Sequence, residues 1–127
     1  MGNLDYTQVL NKIENTRRFG NEPGVVVTAQ VIKVLREKGK QKRIIPYIHV
    51  AGTNGKASVC AFFSSILKKE HMRVGTFVSP HLVDFEERIT VDGRMIPKED
   101  VTRLGNYLLD IDFGIGLTMF YYCLAMA

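Results

Sequence analysis

Cysteine is scarce in this chain. Cys60 and Cys123 are the only two in 127 residues, too few for the disulfide framework of a small secreted domain. The amino terminus lacks the basic-then-apolar pattern of a secretory leader. The chain opens Met1-Gly2, but Tyr6 stands where a myristoylation site needs Ser or Thr. Together these absences predict a reduced, cytoplasmic setting. Phe113 to Ala127 carries no charged residue, yet it is shorter than the roughly 20 apolar residues that cross a bilayer. A buried helix is expected there, and no membrane partner. No internal repeat or low-complexity segment is present. The basic run Lys38, Lys40, Lys42, Arg43 contains no aromatic residue and reads as a solvated loop. A net charge of +4 suits an anionic ligand without demanding nucleic acid.

What is present suits one domain of ordinary charge, with 46% hydrophobic residues to build a core. Tyr6, Val9, Leu10 and Ile13 recur at helical spacing, and Gly20, Pro23 and Gly24 end that helix near Arg18. A second helix has Val31, Ile32 and Leu35 inside and ends at Gly39. Ile44 to Ala51 reads as a strand, with Pro46 near its start. Val59, Phe62, Phe63 and Ile66 mark one face of a third helix, with Cys60 a small core residue. Arg73 to Val78 is a second strand. Strand, helix, strand at this spacing predicts a βαβ unit with parallel strands and a right-handed crossover. Residues 89–96 predict a hairpin turning at Asp92-Gly93. Pro97, Glu99 and Asp100 start a further helix with Val101, Leu104 and Leu108 inside. Leu108-Leu109-Asp110 lies on that helix, which argues against a Walker-B strand.

The chain is organised around residues 47–67, YIHVAGTNGKASVCAFFSSIL. An apolar segment runs into Gly52-Thr53-Asn54-Gly55-Lys56-Ala57-Ser58, and an apolar-faced helix follows. Two glycines permit a tight turn and a close approach to a ligand. Free N–H groups at a helix start attract an anion, and Lys56 adds a cation. This is a phosphate cradle. It departs from the common G-x-x-x-x-G-K-[ST] frame: Val50 replaces the first glycine, Ala57 the hydroxyl residue, and Ser58 comes one residue late. An ordinary strand-to-helix turn with a surface lysine is the plainer alternative. Ligands of parallel sheets sit at the carboxyl ends of strands, so Ser79-Pro80-His81 is expected beside the loop.

The segment AGTNGKAS resembles the G-T-N-G-K-[GT]-[ST] loop of the Mur-ligase superfamily. Ser79-Pro80-His81-Leu82 with Glu87-Arg88-Ile89 is similar to the SPHL…ERI block of folylpolyglutamate synthase and dihydrofolate synthase, the folate ligases. Arg18-Phe19-Gly20 through Pro23-Gly24 resembles the loop before that family's second helix. The resemblance covers essentially all 127 residues, as the leading part of much longer chains. It implies an α/β fold: a parallel sheet with a variant P-loop βαβ unit behind a helical amino-terminal segment, forming a single, incomplete Mur-ligase-like ATP-binding domain over residues 1–127, with the carboxyl-terminal domain absent.

For chemistry, the resemblance implies ATP and Mg²⁺ as cofactors, and folate or dihydropteroate and glutamate as substrates. The γ-phosphate of ATP would activate a carboxylate as an acyl phosphate, which the glutamate amine then attacks. It implies nucleotide contacts from Gly52 to Ser58, Mg²⁺ binding by Ser79, and pteroate contacts from Asn21, Glu22 and Pro23. His81 is either a ligand contact or a hydrogen bonder that orients its loop. His49 and His71 read as structural or exposed. One departure stands out. The family's T-x-F-E block, whose glutamate binds Mg²⁺, is matched by Thr118-Met119-Phe120-Tyr121, where tyrosine is a poor magnesium ligand. The chain alone is therefore expected to be inactive, as the nucleotide-binding portion of such a ligase. The alternatives are a non-catalytic remnant or interaction protein keeping the fold and, more remotely, an unrelated P-loop kinase or NTPase.

Overall fold

The computed structural model describes residues 2–16, 22–40 and 45–127. The chain divides into two compact units, one of residues 1–44 with 97–126 and one of residues 45–96.

The first unit is helical. Helix α1 (Tyr6–Glu14) starts at Asp5, whose carboxylate accepts from the Gln8 backbone N–H while the Gln8 side chain accepts from the Asp5 N–H. This reciprocal cap satisfies two donors that the first turn leaves without partners. Helix α2 (Gly24–Glu37) buries Val27, Val31 and Val34, so its inner face is turned one step from the Val31, Ile32, Leu35 expectation. Gly39 follows with φ +69, the left-handed conformation that stops a helix. Helix α4 (Lys98–Leu109) starts after Pro97, carries Glu99 and Asp100 in its first turn, and buries Val101, Gly105 and Leu108. Asp110 caps its end, so the Leu108-Leu109-Asp110 stretch is helical as expected. The charge-free tail forms α5 (Met119–Met126), with Cys123 and Met126 buried.

Helix α1 packs on α4, and α5 packs on α1, α2 and α4. Val9, Ile13, Val101 and Cys123 are fully enclosed, and each buried aliphatic side chain contributes about 1.5–3 kcal/mol. The Asn106 amide accepts from the Leu4 N–H and donates to the Leu4 carbonyl, both at 2.8 Å, which ties the start of the chain to α4.

The second unit contains α3 (Lys56–Lys69), β1 (Gly75–Phe77), a 3₁₀ turn (Phe85–Arg88), β2 (Ile89–Val91) and β3 (Arg94–Met95). Its sheet runs β1-β2-β3, antiparallel throughout. Gly75 faces Val91 and Phe77 faces Ile89. The expected β2–β3 hairpin forms, with Asp92 at φ +52 and Gly93 at φ +79, the two positive dihedrals of a type I′ turn.

The parallel βαβ unit does not form among the described residues. Residues 45–51 adopt no regular secondary structure, and β1 pairs with β2 instead. Alternation specifies a strand and its faces but not its neighbour. Here the neighbour is reached through the short loop after β1 rather than across α3. The α3 expectation is also corrected: no residue of α3 is buried, Phe62 is 68% exposed, and Val59, Phe63 and Ile66 are exposed with it. Cys60 is only half-buried.

Candidate functional site

The phosphate-cradle segment lies immediately before α3. Gly55 is the residue at its N-cap, with φ +78, a conformation that costs a side-chain-bearing residue about 1–2 kcal/mol. Gly52 also has positive φ, +153. The first α3 hydrogen bond runs from the Val59 N–H to the Gly55 carbonyl at 3.0 Å, and no side chain caps the helix. The N–H groups of Lys56, Ala57 and Ser58 therefore precede the helical ladder. Lys56 folds back over the turn, and its Nζ donates to the Gly52 carbonyl at 2.5 Å and the Thr53 carbonyl at 3.3 Å. Gly52 to Ser58 are all exposed. The Lys56 ammonium, two glycine-determined bends and uncapped helix donors thus occupy one short exposed stretch.

Helix α3 and β1 are linked by side chains. Ser64 of α3 and Thr76 of β1 share a hydrogen bond of 2.6 Å.

Residues 78–88 form a tightly bonded loop. The Val78 N–H donates to the Arg88 carbonyl at 2.9 Å. The Glu87 carboxylate accepts from the backbone N–H groups of Leu82, Val83 and Asp84 at 2.8–2.9 Å. The Asp84 N–H above all, then those of Leu82 and Val83, hold the Glu87 pKa below the usual 4.5. Arg88, only 6% exposed, donates from Nε to His81 Nδ1 at 2.8 Å and from Nη1 to Ser79 Oγ at 3.1 Å. Ser79 is exposed and His81 half-buried. Of the two roles left open for His81, the loop-orienting hydrogen bond is present.

The sequence assigns Glu87 and Arg88 no role beyond their place in the similar block. Glu87 was legible: Asp84-x-x-Glu87 is a capping-box spacing. No local signal reveals Arg88, whose side chain acts on residues seven and nine positions earlier.

The other expected positions are distributed differently. Glu22 and Pro23 are exposed before α2, in the helical unit, and Asn21 lies outside the described residues. Tyr121 is on α5 in that unit; a Cβ on Gly24 would lie 2.8 Å from its hydroxyl oxygen. His49 and His71 are exposed, as expected. Lys38 and Lys40 are exposed too, with Lys40 4.9 Å above the Tyr107 ring; Lys42 and Arg43 lie outside the described residues.

Ser79 offers a single hydroxyl oxygen, so a Mg²⁺ ion there would rest mainly on phosphate oxygens and water. Among the described residues, no group of three His, Cys, Asp or Glu side chains could hold a metal. Arg88 also places a guanidinium on Ser79 Oγ, where it opposes a second cation. No helix among the described residues is long and apolar enough to cross a membrane.

No protein-family profile matches the chain. It is 37% identical over 103 residues to the dihydrofolate synthase/folylpolyglutamate synthase of Bacillus subtilis, covering 81% of this chain and 23% of that one. Among solved structures it resembles the folylpolyglutamate synthase of Thermotoga maritima, with 31% identity, a TM-score of 0.77, and 96% of this chain and 29% of that chain covered. It also resembles Escherichia coli FolC in complex with DHPP and ADP, with 28% identity, a TM-score of 0.73, and 98% and 29% covered. The fold is therefore part of a Mur-ligase-like α/β fold. More narrowly, the chain belongs to the folylpolyglutamate synthase/dihydrofolate synthase family. It spans less than a third of the length of these three relatives.

Proposed function

We propose that this chain is the nucleotide-binding portion of an ATP-dependent folate–glutamate ligase. The observation that carries the reading is the Gly52–Ser58 turn. It joins two positive-φ glycines, the uncapped start of α3 and Lys56 within a chain whose relatives bear the folate-ligase name. A relative of the same fold is described with ADP and DHPP bound, which supports a nucleotide as the ligand here. Polyphosphate oxygens would replace the Gly52 and Thr53 carbonyls as partners of Lys56, and the N–H groups of Lys56, Ala57 and Ser58 would receive further oxygens.

In the proposed reaction, a carboxylate oxygen of dihydropteroate or folate attacks the γ-phosphorus of ATP and ADP leaves. The glutamate amine then attacks the acyl carbon, an amide forms and inorganic phosphate leaves. The residues of this chain bind the phosphates and neutralise part of their charge. No step is assigned to a metal; Ser79 is the residue of this chain proposed to help hold Mg²⁺, whose charge would offset that of the phosphates. Glu22 and Pro23, with Asn21, are proposed pteroate contacts.

The test is calorimetry of ATP binding to the wild-type chain and to Lys56→Ala. Losing a charge-assisted contact of about 1.5–3 kcal/mol should weaken binding about 10- to 100-fold. Equal affinity would remove the phosphate-loop reading.

A further inference from the structure

We propose that Arg88 is a positioning residue that fixes His81 as a hydrogen-bond donor, through Nε2, to an anionic oxygen of the bound nucleotide. The inference rests on the nucleotide reading for the ligand, but not for the geometry. Guanidinium can only donate. Because Arg88 Nε donates to His81 Nδ1 at 2.8 Å, that nitrogen carries a lone pair and the proton of the neutral ring sits on Nε2. The Nε2 nitrogen has no hydrogen-bond partner among the described residues, and the ring is half-buried. A neutral imidazole with Nδ1 occupied presents one polar group outward, an N–H, and its natural complement is an acceptor such as a phosphate oxygen.

Arg88 is itself held in place by its neighbours. Arg88 is buried on the 3₁₀ turn. Its carbonyl is held by the Val78 N–H, and its second side-chain bond fixes Ser79. The Phe85 ring lies 6.2 Å from the His81 ring, centre to centre. Glu87 ties down the backbone between them. One planar fork thus sets two side chains of the Ser79-Pro80-His81 segment at once, which a lysine cannot do with the same geometry.

The test uses the full chain with ¹⁵N-labelled histidine, and long-range ¹H–¹⁵N correlation to read the His81 tautomer at about pH 8, where an ordinary histidine is neutral. ATP affinity is measured on the same samples. The wild-type chain should show the Nε2–H tautomer alone. Arg88→Gln should give a mixture of tautomers and bind ATP about tenfold more weakly, the scale of one positioned hydrogen bond. Arg88→Lys, which keeps the charge but not the fork, should fail to restore the single tautomer, and it gives a second reading if the Gln form does not fold. Lys56→Ala should lose ATP affinity while keeping the wild-type tautomer. An Nδ1–H tautomer in the wild-type chain would overturn the proposal, as would an unchanged tautomer in both folded Arg88 variants. If the wild-type chain binds no ATP, the nucleotide reading and the ligand half of this proposal fall, while the tautomer still decides the role of Arg88.

Discussion

Glu87 carries the clearest electrostatic consequence of a single residue. Its side chain is half-buried, which alone would raise the pKa, so the lowering comes from the three backbone N–H groups it accepts. Those bonds favour the charged form, so the folded pKa lies below the unfolded value. The stabilisation of the 82–87 segment is therefore fully present above about 4.5 and is lost as pH falls through the folded pKa. Amide proton shifts of Leu82, Val83 and Asp84, followed by NMR from neutral pH downward, should titrate together with a midpoint below 4.5. A midpoint at or above the ordinary value would contradict the bonding described. In Glu87→Gln that shared titration should disappear, because the amide has no proton to gain in this range.

Among the elements, the α1–α4 contact is decided by a glycine. A Cβ on Gly105 would lie 2.3 Å from Val9 Cγ1, and both residues are buried. Replacing a helix-interior glycine by alanine ordinarily stabilises by about 1 kcal/mol. Overpacking a closed contact costs about 1–3 kcal/mol, and an overlap this deep belongs at the upper end. Gly105→Ala should therefore lower the unfolding midpoint of the helical unit, by about 1–2 kcal/mol after the propensity gain is subtracted. Adding Val9→Ala should relieve the overlap, so the double variant should be more stable than the two single losses added together. Chemical denaturation of the four proteins completes the cycle; strict additivity would mean that the helices do not meet as closely as described.

For the whole molecule, the distribution of apolar surface differs between the units. The helical unit encloses Val9, Ile13, Val101 and Cys123, whereas α3 in the other unit leaves Val59, Phe62, Phe63 and Ile66 exposed. Ile45, Tyr47 and Ile48 are exposed as well. A contiguous apolar helix face of this kind promotes association in water. Phe62→Ser should therefore change the unfolding free energy by no more than about 0.5 kcal/mol, as exposed positions do, while reducing concentration-dependent association in sedimentation velocity. Val101→Ala, at a fully buried position, should destabilise by more than about 1 kcal/mol. Equal destabilisation by the two changes would show that the α3 face is covered in solution.

The sequence by itself determined most local elements and the chemistry of the loop, but not the strand expected before it, since residues 45–51 form no regular structure. Apolar spacing gave α1, α4 and the charge-free α5, Asp92-Gly93 marked the hairpin, and Gly52 through Lys56 announced a helix-start cradle. Each of these depends on residues within one or two turns of each other, so the pattern is complete in the local sequence. Tertiary structure alone decided which partner each apolar element takes. The β1 strand pairs antiparallel with β2 and not with residues 45–51, and α3 shows its apolar stripe to solvent, because periodicity defines a face but not what lies opposite it. The same holds for Arg88. Its fork joins Ser79 to His81 only because the loop closes at Val78 and Arg88, a long-range constraint that no spacing of residue types encodes.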